Sequence, residues 1–525
     1  MTEPANWRQA LVALALTAAA ALAAANWNPY AGTAAAFLGI ATAATLAYGP
    51  HVRSVADRSR ALGAAPDIVC LVALSLRLDP ALERATDFAA EHGNGRLAAS
   101  LAAHARESRG TPGAGFTAFA ATWDDHLPSL RRAAALADAA VDAPAGERGR
   151  LLDRTLAVVV EGAQERASEY ADAVHGPTMG VYAFGVVLPL ALVGVVPAAA
   201  SAGLPVTLGA VALAYGVVLP LAVLAVVCWI LARRPVAFPP AAVPSDHPKL
   251  DDRARNAALA AVCGVVAALV TSRLLPSWAL PVLLVGWPVG GALAYWFRPA
   301  CEVREDARNV EAGLADALAV LGHQLRHGRA VEAAVTDAGD TLDGPTGDVF
   351  DEAARRMRRF RVGVADAFFG EFGPLARTRS QRARAAVSLV VHAADAGPAG
   401  GRVLVDVADL FDDLTDLDRE VRREFASTTR TLQYTALVYA PLVAGVTVSL
   451  AGRVSGLDGA SALPAGQLAL VIGAYVLWLA AVLPALAVGL DRGLDRALVG
   501  YHAGLALAAA ATVYPVTALA AGRVL

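Results

Sequence analysis

Long apolar runs alternate along the chain with long polar stretches rich in arginine. A helix needs about 20 mostly apolar residues to cross a bilayer. The runs at 11–25 and 32–48 reach that length with their flanks, and Trp7, Trp27, Tyr30 and Tyr48 stand at their ends, where amphipathic rings favour the membrane interface. This predicts a transmembrane hairpin over 1–50. The runs 176–200 and 204–231 predict a second hairpin within 176–232, and 257–271 and 275–297 a third within 257–297. The runs 433–451, 468–490 and 498–521 predict three closing spans within 433–525, about nine in all. The polar stretches 51–175 and 298–432 show helical recurrence of apolar positions and no alternation, and 233–256 reads as a linker rich in Pro, Asp and Arg.

The two polar stretches echo each other. Residues 316–335, DALAVLGHQLRHGRAVEAAV, lie over 67–86, DIVCLVALSLRLDPALERAT, 249 positions earlier. Asp316 falls on Asp67, Leu325 on Leu76, Arg326 on Arg77, Ala330 on Ala81, Glu332 on Glu83 and Ala334 on Ala85. Each copy reads as an amphipathic helix, a turn and a second helix. The later stripe is Leu314, Leu318, Leu321 and Leu325, with Gly328 as its stop; the earlier is Ile68, Val72 and Leu76, followed by Asp79 as an N-cap and Pro80 at the first helical position. A second echo follows: Tyr182 and Pro189 enter their apolar run as Tyr434 and Pro441 do, 252 positions apart. The expected fold is an all-α integral membrane protein, with about nine transmembrane helices and two homologous cytoplasmic helical-bundle modules.

Composition agrees with this division. Charged residues make up 17% of the chain, against about 25% in soluble domains. Arginines flanking the runs gather in the two polar stretches, in the linker and at Arg492 and Arg496; the opposite loops and the tail hold Arg273, Arg453 and Arg523. The excess of basic residues on cytoplasmic loops then puts the N-terminus and both modules in the cytoplasm, and the C-terminus outside.

The chemistry is spare. No expected span carries Asp, Glu, Lys or Arg, which argues against ion-coupled transport. The one lysine, Lys249, follows no glycine loop, so a P-loop is absent, as are the HExxH, GxSxG and intramembrane GxGD patterns; no catalytic, cofactor or metal residue is expected. Cys70, Cys228, Cys263 and Cys301 form no CxxC pair and read as buried small hydrophobes. His323 and His327 have metal-ligand spacing, but no local carboxylate or cysteine completes a site. Arg355, Arg356, Arg358, Arg359 and Arg361 form a basic cluster around Met357 and Phe360. It reads as a solvated face near anionic headgroups or as a docking patch for an acidic partner; no aromatic platform or groove-reading motif directs it to nucleic acid, and the net charge of −3 offers none a general attraction. Asp406, Asp409, Asp412, Asp413, Asp416 and Asp418 precede Arg419, Arg422 and Arg423, as in a helix descending onto an anionic surface; a contact for a basic partner is the alternative.

The repeated stretches 67–86 and 316–335, with the paired entries Tyr182/Pro189 and Tyr434/Pro441, resemble the type II secretion system protein F family. These are the polytopic platform proteins of type IV pilus-like machines, including tight-adherence pili and the archaeal flagellum. The likeness covers about half the chain, and the extra hairpins are more like the archaeal branch. The resemblance implies a non-enzymatic protein of the cell membrane, a homo-oligomer that binds a cytoplasmic hexameric secretion ATPase and couples it to assembly of pilin-like subunits. The rival classes are a multi-pass permease or channel, and a membrane scaffold with cytoplasmic regulatory domains.

Overall fold

Apolar side chains recurring every three to four residues leave the backbone one economical solution, and every regular element among the described residues is helical, with no strand. The computed structural model describes residues 61–524 apart from 94, 110–113, 203, 205, 234–246, 379, 396–397 and 458–463. The expected hairpin over 1–50 and most of the linker lie outside the described residues.

The first polar stretch folds into α1 (Ala65–Leu78), α2 (Leu82–His92), α3 (Gly95–Glu107), α4 (Ala114–Thr122), α5 (Pro128–Asp142) and the long α6 (Ala145–Tyr182). After α6 come a π-turn at Ala183–Val187, then α7 (Leu188–Val193) and α8 (Val196–Ser201). The chain returns through α9 (Leu208–Leu213), a π-turn at Ala214–Val218 and α10 (Leu219–Ala232), followed by α11 (Arg253–Thr271) and α12 (Ala279–Ala312). The second polar stretch holds α13 (Leu314–Arg326), α14 (Val331–Thr341), α15 (Gly344–Phe360), α16 (Val364–Phe369), α17 (Pro374–Thr378), α18 (Gln381–Asp395) and the long α19 (Pro398–Tyr434). A third π-turn, Thr435–Tyr439, leads into α20 (Ala440–Leu457), and α21 (Ala465–Arg492) and α22 (Arg496–Val524) close the chain.

Seven helical segments among the described residues are long and apolar enough to cross a membrane, and each expected run beyond residue 60 overlaps one of them. The edges expected at 175/176, 297/298 and 432/433 fall inside the continuous helices α6, α12 and α19. Polar and apolar stretches are therefore welded by helix rather than joined by loops.

Each π-turn stands just ahead of a proline: Pro189, Pro220 and Pro441. Proline has no N–H, and its ring crowds the carbonyl four residues back. The wider turn lets the helix pass that crowding. For Pro189 the carbonyl left over is that of Gly185, and the Tyr475 hydroxyl donates to it. The Pro189 carbonyl in turn accepts from the Tyr215 hydroxyl at 2.5 Å. The same local sequence recurs: 183–191 reads AFGVVLPLA and 214–222 reads AYGVVLPLA.

Helices of the two polar stretches correspond in order, apart from α17, which has no counterpart in the first. α2 and α14 each have 11 residues and start 249 positions apart. α5 and α18 each have 15 and start 253 apart. The first and third π-turns start 252 apart. Their environments differ. The expected stripe Ile68, Val72 and Leu76 is buried, but so are Val69, Cys70, Leu71, Ala73 and Leu74. α1 is thus enclosed on every side rather than amphipathic. The cause is tertiary: α19 of the second stretch packs on α1 together with α6 of the first, and one hydrophobic core runs through both stretches. α13 keeps the one-sided pattern, with Leu314, Leu318, Leu321 and Leu325 buried while His323 and Arg326 are exposed.

The two turns also differ. Gly328 takes φ +78°; its N–H donates to the Leu325 carbonyl at 2.9 Å, and Arg329 N–H to that of Gln324 at 3.3 Å. That is a Schellman stop, as its place after the stripe predicts. Asp79 is not the N-cap expected. It is extended and closes α1, its N–H bonded to the Ser75 carbonyl, while Ala81 occupies the N-cap of α2 without a side-chain bond. The Asp79 carboxylate instead pairs with Arg84 at 2.6 Å.

Among the apolar helices α21 is the most enclosed and α11 the most exposed. α12 and α22 approach so closely that a Cβ at Gly290 would stand 2.6 Å from the Gly504 carbonyl oxygen. At the polar end of that contact Asp495 caps α22 through the N–H groups of Ala497 and Leu498, at 2.9 and 3.0 Å, and holds Arg304 of α12 at 2.5 Å.

Candidate functional site

α15 is amphipathic. Val349, Phe350, Ala353, Ala354 and Met357 are buried along one face, so its arginines are turned outward. It ends at Arg361 in the left-handed region, φ 53°, the one non-glycine residue with positive φ among the described residues. The turn separates the five arginines into different roles. Arg355 pairs with Asp351 one helical turn back. Arg356 is half-buried: it donates to the Phe372 carbonyl at 3.0 Å, and its guanidinium lies 5.6 Å from the centre of the Phe360 ring. Arg359 lies 5.7 Å from the same ring on an exposed position. Arg358, Arg359 and Arg361 are exposed and make no ion pair among the described residues.

Phe360 is 59% exposed and Phe372 62%. Among the described residues they are the exposed large apolar side chains of the two polar stretches, the others lying on or beside the apolar helices. Arg356 ties the two positions together through the Phe360 ring and the Phe372 backbone carbonyl, so the patch combines exposed aromatic residues with guanidinium groups, a mixture found at interface hot spots. The sequence reading missed Phe372. Its signal was a phenylalanine in the polar, glycine-bounded segment GEFGP, 370–374, where an apolar side chain has no helix face to hide on.

A second polar constellation joins the two stretches. Arg382 of α18 forks onto Asp67 of α1, with both nitrogen–oxygen distances 3.1 Å. Arg77, nearly buried, reaches both Asp153 of α6 and Asp406 of α19, the latter at 2.5 Å. Ser388 and His92 share a hydrogen bond of 3.1 Å, and within the second stretch Ser380 donates to Glu311 at 2.6 Å. Burial pushes the Cys70 thiol far up, which leaves it protonated and unreactive. Asp406 is also raised, by burial, with Asp153 and Asp409 adding to the shift and Arg77 opposing it. Asp413 is raised by burial and then by Asp409, Asp412, Asp416 and Asp153. Asp406, Asp409, Asp412, Asp413 and Asp416 of the acidic stripe are therefore carboxylates that repel their neighbours; Asp416 is held by Arg419 at 2.8 Å.

The His323 and His327 rings pack edge to face, 4.6 Å apart, and no group of three metal-capable side chains forms among the described residues. The geometry offers recognition surfaces: an arginine–aromatic patch that suits acidic and apolar groups together, and an ionic seam between two helical stretches. Comparison with protein-family models, with curated proteins and with solved structures finds no match.

Proposed function

We propose that this chain is a membrane platform protein of a type IV pilus-like assembly or secretion machine, resembling the type II secretion protein F family. It docks a cytoplasmic secretion ATPase and couples it to the handling of pilin-like subunits. The observation that carries the reading is the recurrence, 249 to 253 positions apart, of helices in the same order, each series ending in a long helix, a π-turn and a proline-led apolar helix. In this reading the two polar stretches are homologous cytoplasmic modules. There are nine spans, counting the two runs within 1–50, and the C-terminus lies outside. Helices that run unbroken from polar to apolar stretches suit a protein that transmits motion. The free part of the arginine cluster, Arg358, Arg359 and Arg361 with Phe360 and Phe372, is the surface we assign to the ATPase.

The test is co-purification from the native membrane, with the retained protein identified by mass spectrometry and assayed for ATP hydrolysis. A hexameric ATPase is expected with the wild type. Glu substitution of Arg358, Arg359 and Arg361 should release it while membrane insertion stays intact. Labelling that places either module outside, or ion flux in liposomes with no ATPase retained, would favour a permease or channel instead.

A further inference from the structure

Two arginines at the polar ends of the apolar helices stand apart from their neighbours. Around the ends of α10, α11 and α12, Arg255 pairs with Asp252 at 3.1 Å, Arg298 with Glu302 at 2.7 Å and Lys249 with Asp306 at 2.6 Å. Arg233 and Arg253 have no carboxylate among the described residues. Each lies over an indole instead. Arg233 stands 4.1 Å from the Trp229 ring centre, and Arg253 stands 5.1 Å from that of Trp296. Both tryptophans are open to the surroundings, Trp229 at 42% and Trp296 at 38%.

Stacking on a ring face fixes the guanidinium plane and leaves its N–H edge free, and that planar fork matches two oxygens of a phosphate. α10 and α11, which carry Arg233 and Arg253 at their ends, expose Val226, Leu259, Val262 and Val266 along their lengths. A phosphate fork set directly above an acyl-chain surface describes one ligand. We propose that the Trp229–Arg233 and Trp296–Arg253 pairs are headgroup clamps for anionic phospholipids, which place and hold this end of the helices at the membrane surface.

The test uses the full-length protein in mild detergent, titrated with equimolar phosphatidylglycerol and phosphatidylcholine and read by native mass spectrometry. Phosphatidylglycerol should be retained in preference. Arg233→Gln and Arg253→Gln should each reduce that preference about fivefold, the factor that one basic residue contributes at an anionic surface. Arg255→Gln, which removes an arginine already paired with Asp252, should leave the preference unchanged. Arg233 is exposed at a helix end, so its variant keeps the test available if Arg253→Gln fails to fold, which circular dichroism will show. An equal loss in Arg255→Gln would mean diffuse surface charge and would overturn the proposal. So would an undiminished preference in Arg233→Gln, or displacement of the lipid by inorganic phosphate.

Discussion

The hydroxyl of Tyr475 donates to the carbonyl of Gly185, the carbonyl that Pro189 leaves without a helical partner. A proline break in one apolar helix is thus mended by a side chain on another, 290 residues away. Tyr475→Phe keeps the ring against Tyr215 and Trp478 but strands that carbonyl. Thermal unfolding in detergent should show a loss of about 1 kcal/mol, the scale of an interhelical hydrogen bond in a membrane protein. Tyr475→Ala also empties a buried site and should lose about 3–5 kcal/mol.

The Asp67–Arg382 fork couples the first helix of one polar stretch to the second stretch. Asp67→Asn and Arg382→Gln should each destabilise by about 1–2 kcal/mol, and the double variant by less than the two together. A coupling energy near zero in that cycle would show that the seam is held by the shared apolar core alone. Both side chains are about a third exposed, so the coupling should weaken in high salt.

Asp413 gives a pH dependence with a definite sign. Its pKa is raised in the fold, so between 3.8 and that higher value the folded state binds more protons than the unfolded one. Its contribution is most favourable below 3.8, is lost as pH rises through that interval, and stays lost above it. Asp413→Asn should therefore raise the melting temperature at neutral pH and have no such benefit in acid below 3.8.

Phe360 and Phe372 separate recognition from folding. Each is more than half exposed, so Phe360→Ala and Phe372→Ala should shift stability by no more than about 0.5 kcal/mol. The same variants should lower recovery of the proposed ATPase about tenfold or more, as loss of an aromatic anchor does. Met357→Ala, on the buried face of the same helix, should show the reverse pattern, destabilising by about 2–3 kcal/mol with binding retained by the folded fraction.

Gly290→Ala probes the α12–α22 contact. The added methyl would meet the Gly504 carbonyl oxygen at 2.6 Å and the Ala508 nitrogen at 2.8 Å, both backbone atoms that cannot turn aside. A loss of about 1–3 kcal/mol is expected in thermal unfolding.

Much of this architecture is written locally. Apolar length marks the seven helical segments among the described residues that are long and apolar enough to cross a membrane, because the number of residues needed is set by the bilayer. Gly328 is legible because few residues other than glycine accept its φ without strain. Asp79 was misread because Asp-Pro before an apolar series is equally good chemistry for ending one helix as for starting the next. α1 was misread because a continuous apolar run says how much is buried but not by what; the helix that covers its far side lies more than 300 residues along the chain. The pairing of Arg77 with Asp153 and Asp406 has no local signature at all. At the candidate site the arginines were conspicuous, but their division into spent and free groups depends on Phe372, which a fold-back of the chain brings beside Arg356.

α12 is one rod of 34 residues, about 50 Å long, anchored in two different surroundings. Gly290 is pressed against α22, while Val303, Ala307 and Val310 are sunk among the polar helices. The contact with α22 is a seam rather than a point: Gly286 lies against Ala511, Gly290 against Gly504, Phe297 against Gly500 and Arg304 against Asp495. A displacement of the polar half of α12 would have to be shared with α22 along that whole seam.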